Sequence, residues 1–309
     1  MGPRRWAAIA LVGLLAGMAP LLAACGSGDD AGGRPQVVVT TTVLGSLVQE
    51  LVGERADVHV LMPNGADPHE FQPSAKDAER LASADLVVDN GLKLEEGLED
   101  ALNQARDDGT RIFTATDHVK LLAFGADDAA EIAEHGPNDP HIWTDPLAMR
   151  DMVHALVPEL RDALGIDVAA RGKSLESRLD ALNAGIAAEV ARLPADRRKL
   201  VTGHESLGYF ADRYGFRLVG AVLPSLSSQA QVSSGQLAAL KDQVRAEDVS
   251  VIFNEIGTPP GVADAVADET GARVVELSTH NLPDDGSYFT FMKDLADGIT
   301  QALRADGPS

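Results

Sequence analysis

The chain carries eight histidines: His59, His69, His118, His135, His141, His154, His204 and His280. An imidazole can act as metal ligand, general base or proton shuttle, so each ring has to be placed before any chemistry is assigned. Two of them arise from the same tripeptide, Asp-Pro-His, in ADPHEFQPS (66–74) and NDPHIWTDP (138–146). Proline before His69 and His141 locks one backbone torsion, so each ring is presented from a stiffened turn. His69 follows the apolar run DVHVLM (57–62) after a Pro-Asn-Gly-Ala turn. His204 directly follows KLVTG (199–203), and His280 comes two residues after RVVELS (273–278). In open parallel sheets ligands gather beyond the carboxyl ends of the strands, which is where these rings would sit. His69, His141, His204 and His280 are therefore the candidate metal ligands. Glu70, Asp145 and Glu205 stand beside them in sequence and are candidates to orient a ring nitrogen from behind.

The spacing alone is a weak signal. Gaps of 72, 63 and 76 residues between successive candidates match no zinc-finger pattern, and there is no His-Glu-x-x-His helix. His59 lies within a strand-like run and His154 in a helical stretch, and structural roles are expected for both. His118 follows a strand-like run and Asp117, which fits a loop as well as any site, and His135 belongs to the acidic segment DDAAEIAEHGPND (127–139), where it is exposed or meets cations transiently. A zinc held by three imidazoles with an open position could activate water, with Glu205 as base. No hydrolase signature accompanies that arrangement, and Ser206 in GHESLG does not form the Gly-x-Ser-x-Gly elbow. Neither a Gly-x-Gly-x-x-Gly nor a Walker sequence is present to cradle phosphates.

The elements that must position these residues follow a simple order. VVVTTT (37–42), DVHVLM (57–62), DLVVDN (85–90) and RIFTAT (111–116) read as buried strands separated by helix-like sequence. The pattern resumes in KLVTG (199–203), RLVGAVLP (217–224), VSVIFNE (249–255) and RVVELS (273–278). Continuous Val/Ile/Leu runs alternating with helices predict an α/β protein with parallel strands covered on both faces. Between the two sets, Leu175, Leu179, Leu182, Ile186, Val190 and Leu193 mark one face of a helix that Pro194 ends. The expected organisation is an N-terminal lobe over 36–163, a linking helix over 164–197 and a C-terminal lobe over 198–309. In the serine-rich patch PSLSSQAQVSSGQ (224–236), Ser233 with Gln236 has the spacing of a capping box.

The first residues have a different character. MGPRRWAAIALVGLLAGMAPLLAAC opens with Arg4 and Arg5, continues apolar and ends in small residues, which reads as an export signal over 1–24. Leu22–Cys25, LAAC, resembles the lipobox of bacterial lipoproteins, in which the cysteine is acylated after cleavage. Residues 25–35 then read as a flexible tether holding the chain to the extracytoplasmic face of the cell membrane. A lone cysteine leaves no internal disulfide, so the fold rests on its core. The whole chain has a net charge of −21; losing residues 1–24 removes two arginines and no acid, leaving 24 basic against 47 acidic residues. Such a surface repels nucleic acid and mildly concentrates cations.

Taken together, DPHEFQPS (67–74), DPHIWTDP (139–146), TGHESLGYFADRYG (202–215), IFNE (252–255) and ELSTHNLPDDGSYFTFM (276–292) resemble the metal-specific substrate-binding lipoproteins of bacterial ABC importers. That zinc/manganese group also includes proteins described as adhesins. The resemblance covers almost the whole chain after the signal. It implies two Rossmann-like lobes joined by a long rigid helix, with one divalent ion in the inter-lobe cleft as the transported ligand. It further implies a monomer that delivers the ion to a membrane permease served by a separate ATPase. His69 and His141 correspond to two ligands of the first lobe. His204 stands where zinc members tend to have His and manganese members a carboxylate. The family's fourth ligand is commonly an Asp; here that place holds His280, with Asp284, Asp285 or water as alternatives. Three or four imidazoles suit zinc, whereas manganese prefers more oxygen, and copper or nickel would also bind such ligands strongly.

Overall fold

The computed structural model describes residues 33–124, 136–259 and 261–305. The expected signal segment, Cys25, most of the tether and His135 lie outside these residues. All eight expected strands are present: β1 Gln36–Val39, β2 Asp57–Val60, β3 Leu86–Asp89, β4 Ile112–Thr114, β5 Lys199–Thr202, β6 Arg217–Ala221, β7 Val251–Asn254 and β8 Arg273–Glu276. Each is shorter than its apolar run, because the last residues of the run have already left the ladder to form the loops that face the cleft. In VVVTTT, for example, Thr41 caps a helix, its hydroxyl accepting from the N–H of Leu44 at 3.4 Å.

The first four strands form one parallel sheet in the order β2-β1-β3-β4. β5 pairs with β6 and β7 with β8, all parallel, and β5 runs beside β7. Both halves thus repeat one order, with the chain reversing direction of build between β1 and β3 and again between β5 and β7. Those reversals are the crevices where open α/β sheets collect ligands.

Alternation along the strands decides which side chains face which layer. Val37 and Val39 of β1, Leu86 and Val88 of β3, Leu200 of β5, and Val251 and Phe253 of β7 all enter one continuous apolar core. The intervening residues point outward. Val38 and Val87 pack with α2 (Ala75–Ser83) and α3 (Glu99–Asp107) through Leu81 and Leu102. Val201 and Ile252 pack with α7 (Ser234–Ala246) and α8 (Val262–Thr270) through Leu240 and Val266. The expected capping box at Ser233 and Gln236 starts α7.

The shared core is filled by α1 (Thr42–Val52), α4 (Pro146–Leu164), α5 (Ala169–Val190), α6 (Gly208–Tyr214) and α9 (Tyr288–Ala305). α5 is the linking helix, and the face Leu175, Leu179, Leu182, Ile186 and Val190 is buried against α4 and α9. It is shorter than the span 164–197. Gly165, at φ 68°, ends α4 in a left-handed turn, and residues 195–197 form a separate 3₁₀ turn after Pro194. One core running through both halves makes the joint stiff. Among the described residues no helix is long and apolar enough to cross a membrane.

Leu179 is fully buried at the centre of this joint. Leu179→Ala is expected to destabilise the protein by about 3 kcal/mol through lost burial and a residual cavity, read from the midpoint of urea unfolding with the slope unchanged.

Candidate metal centre

His69, His204 and His280 stand on loops that follow β2, β5 and β8, and His141 stands in the loop just before the 3₁₀ turn Ile142–Thr144 that leads into α4. Asp-Pro-His turns out to be an aspartate-anchored turn used twice. Asp67 Oδ1 accepts the N–H of His69 at 3.0 Å, and Asp139 Oδ1 accepts the N–H of His141 at 2.8 Å. Proline, lacking an N–H, cannot compete for that oxygen, so the carboxylate bonds the amide two residues on. His204 follows β5, and its N–H donates to Glu255 Oε1 at 3.2 Å, just past β7. Gly203 precedes it because a Cβ there would lie 2.7 Å from Glu255 Cγ.

These turns bring three rings together. His69 Nε2 is 3.4 Å from His141 Nε2, and His204 Nε2 is 3.3 Å from the same atom. One ligand atom from each of the three lies within 4.8 Å of the others, and all three residues are buried. His280 stands one step behind, its ring stacked on His204 at 5.7 Å between centroids and 6.3 Å from His141. Trp143 packs against both His141 and His280, at 5.3 and 5.4 Å. Its indole N–H donates to the Thr279 carbonyl at 2.8 Å, and its own carbonyl accepts the Tyr288 hydroxyl at 2.8 Å.

A carboxylate faces the Nδ1 side of each clustered ring. Asp139 Oδ1 lies 2.8 Å from His141 Nδ1, a hydrogen bond. Glu96 Oε1 is 3.5 Å from His69 Nδ1 and Glu255 Oε1 is 3.4 Å from His204 Nδ1, which are ion-pair distances rather than tight hydrogen bonds. Carboxylates on that side favour a proton on Nδ1 and so turn the Nε2 lone pairs toward one another. For His280 the tautomer follows from a relay. Ionised Glu255 accepts only, so Thr279 Oγ1 must donate to its Oε2 at 2.6 Å. The same hydroxyl oxygen then accepts from His280 Nδ1 at 2.8 Å, which leaves a lone pair on His280 Nε2, a buried atom with no hydrogen-bond partner.

The electrostatics match this arrangement. Burial, reinforced by the charge of neighbouring imidazoles, pushes His141 well below the ordinary histidine range. Burial likewise lowers His69, against the pull of Glu96, and His280, with the His204 charge adding to it. Burial would raise Glu255, but the His204 ring and the Thr279 hydroxyl hold it down to about 2. His204 is raised despite its burial because Glu255 faces it. The cluster thus presents imidazoles that are mostly kept neutral, as a metal ligand must be.

Of the three carboxylates next in sequence, Glu70 and Asp145 stand elsewhere, while the charge of Glu205 helps to raise His204. Glu70 is exposed, while Glu96 occupies the place behind His69. Asp145 caps α4 through the N–H of Leu147 at 2.8 Å and takes a bidentate pair from Arg213 at 2.9 and 2.6 Å. Glu205 lines a surface groove with Asp139 and Asp212, and Glu255 is the carboxylate at the His204 ring. Asp284 and Asp285 are exposed, and Asp285 is bonded to the start of α9 through Ser287 and Thr290. His154 is on the surface of α4 against Glu176, and His118 stacks on Phe113 at 4.4 Å. Asp67 and Asp139 were in view in the repeated tripeptide, and Glu255 in IFNE. Nothing in the acid-rich run GLKLEEGLED (91–100) distinguishes Glu96 from the buried Glu95 or the exposed Glu99 and Asp100.

Known proteins resemble the chain along nearly its whole length. The family model described as "Zinc-uptake complex component A periplasmic" matches residues 37–302. The zinc-binding protein TroA of Treponema pallidum is 30% identical over 313 aligned positions, covering 96% of this chain and 97% of that one. The manganese-binding lipoprotein MntA of Halalkalibacterium halodurans is 27% identical, covering 93% and 95%. The solved structure of the periplasmic zinc-binding protein TroA from Treponema pallidum superposes with a TM-score of 0.78 at 26% identity, covering 88% of this chain and 99% of that one.

Glu255 anchors His204 by its backbone and, through Thr279, fixes the tautomer of His280. Glu255→Gln keeps the volume but loses the charge, and zinc affinity is expected to fall by about 10- to 100-fold, as measured by competition against a chromophoric chelator.

Proposed function

Because the chain belongs to the periplasmic zinc-uptake component A family, we propose that it captures one divalent ion, zinc foremost, and delivers it to an ABC permease served by a separate ATPase. Members of this family are solute-binding components of metal importers and not enzymes. The named relatives divide between zinc and manganese, so the preference for zinc is drawn from the donor set.

One observation carries it. An ion held tetrahedrally at about 2.0–2.1 Å from imidazole nitrogens sets those nitrogens about 3.3–3.4 Å apart. The two Nε2–Nε2 separations centred on His141 are 3.4 and 3.3 Å. His69, His141 and His204 are the three ligands in this reading. His280 is the fourth, moving its unpartnered Nε2 onto the ion, so the site offers nitrogen where manganese would favour oxygen. The ion is cargo, and no bond in it or around it is made or broken apart from coordination. The lobes holding the ligands are those over 36–163 and 198–309, with 164–197 between them. Cys25 is the acylated residue that tethers the chain to the outer face of the membrane, in keeping with relatives named as lipoproteins.

His141→Ala is expected to weaken zinc binding by at least tenfold in a competition titration, and unchanged affinity removes His141 from the ligand set. His280→Ala should do the same while Asp284→Ala and Asp285→Ala change nothing; the reverse pattern would transfer the fourth position to an aspartate. Parallel titration with zinc and manganese should favour zinc, and a preference for manganese would overturn the choice of ion. Zinc should also raise the melting temperature, because it binds only the folded arrangement.

A further inference from the structure

The serine-rich segment between β6 and α7 makes a contact that the ligand set does not explain. Ser228 Oγ donates to Asp67 Oδ2 at 2.6 Å, while the other oxygen of Asp67 holds the N–H of His69. Asp67 and Ser228 are 7% and 5% exposed, so this is a hydrogen bond to a carboxylate shut away from water. The next residue, Gln229, donates its side-chain N–H to the carbonyl of His69 and lies 3.3 Å from Glu96 Oε2. Glu96 is the carboxylate facing His69 Nδ1. The amide, the carbonyl and the ring of His69 are therefore all held by, or through groups touching, two residues of the opposite half of the chain.

The segment is preformed for this. Ser225 Oγ accepts the N–H of Ser227 at 3.0 Å, and Ser227 Oγ accepts the N–H of Gln229 at 3.2 Å, two successive serine turns. Gly257, in the loop after β7, closes the contact from a third side. Its φ is +84°, and a Cβ there would lie 2.4 Å from both Asp67 Oδ2 and Ser228 Cβ. Three loops meet at Asp67 with no spare room.

We infer that Ser228 and Gln229, bonded to Asp67 and to the His69 carbonyl, form a clasp between the two halves that sets how fast a captured ion is released. The inference rests on the reading that the imidazole cluster binds that ion. His69 comes from the first half of the chain and His204 and His280 from the second, so releasing an ion shared among them requires His69 to part from the others. The clasp spans the same gap beside the metal–nitrogen bonds and must break in the same movement. Hydrogen bonds to a buried charged acceptor are among the stronger ones, and their loss is felt most where both partners are desolvated.

The test is stopped-flow release of zinc from the loaded protein into excess EDTA, alongside the zinc association rate and the visible spectrum of the cobalt(II)-substituted protein. For Ser228→Ala we expect release at least tenfold faster, with the association rate and the cobalt spectrum unchanged. Gln229→Ala, at an exposed position, should accelerate release several-fold and keeps the test available if Ser228→Ala does not fold. Wild-type release rates in both variants would overturn the clasp while leaving metal capture standing. An altered cobalt spectrum would also overturn it, since the residues would then be shaping the ligand set. Failure of the wild-type protein to take up zinc would overturn the capture reading and the clasp with it.

Discussion

Three imidazole nitrogens turned toward one another within a site closed to water are an arrangement that neutral rings do not adopt for their own sake. Nε2 atoms 3.3 to 3.4 Å apart stay together with something positive between them, a shared proton or a cation. The surrounding groups favour this ring orientation over the flipped one. Asp139 bonds Nδ1 of His141, Glu96 and Glu255 face the corresponding atoms of His69 and His204, and Thr279 fixes His280. The groups behind the rings thus favour the orientation in which three Nε2 atoms could share one cation.

The fold supplies the rigidity that this arrangement demands. Both halves repeat one strand order, and the reversals at β1/β3 and β5/β7 lie at the strand ends from which the ligand loops spring. The inner faces of the four-stranded sheet and of the two two-stranded sheets share a single apolar core with α4, α5 and α9. Trp143, Tyr288 and the Arg213–Asp145 pair add polar ties across the joint. A ligand set contributed by both halves can be placed to within tenths of an ångström only if the halves do not drift, and a continuous close-packed core is what resists drift.

Much of this was legible in the residues. Apolar runs located all eight strands, because buried parallel strands must be apolar on both faces, and the leucine face located the linking helix. Strand ends were overestimated where a run continues into functional loop, as at Thr41 and at Glu255. His69, His204 and His280 were marked by their places after strand-like runs, whereas His141 was marked by its repeated Asp-Pro-His and by the resemblance. The groups behind them were not so marked. Glu70 follows His69 in the chain, yet the turn sends it to solvent while Glu96, distant in sequence, closes over the ring. Adjacency in sequence carries little information about contact in a loop, whereas the aspartate of each Asp-Pro-His was visible all along. Its meaning depended on seeing that proline frees its oxygen for the next amide.

The central claim is that imidazoles from both halves of the chain share one ion. Zinc K-edge X-ray absorption on the loaded protein tests it most directly. The account predicts a shell of four light donors at about 2.0–2.1 Å, with the outer-shell scattering of at least three imidazoles. An oxygen-dominated shell carrying one imidazole or none would contradict it.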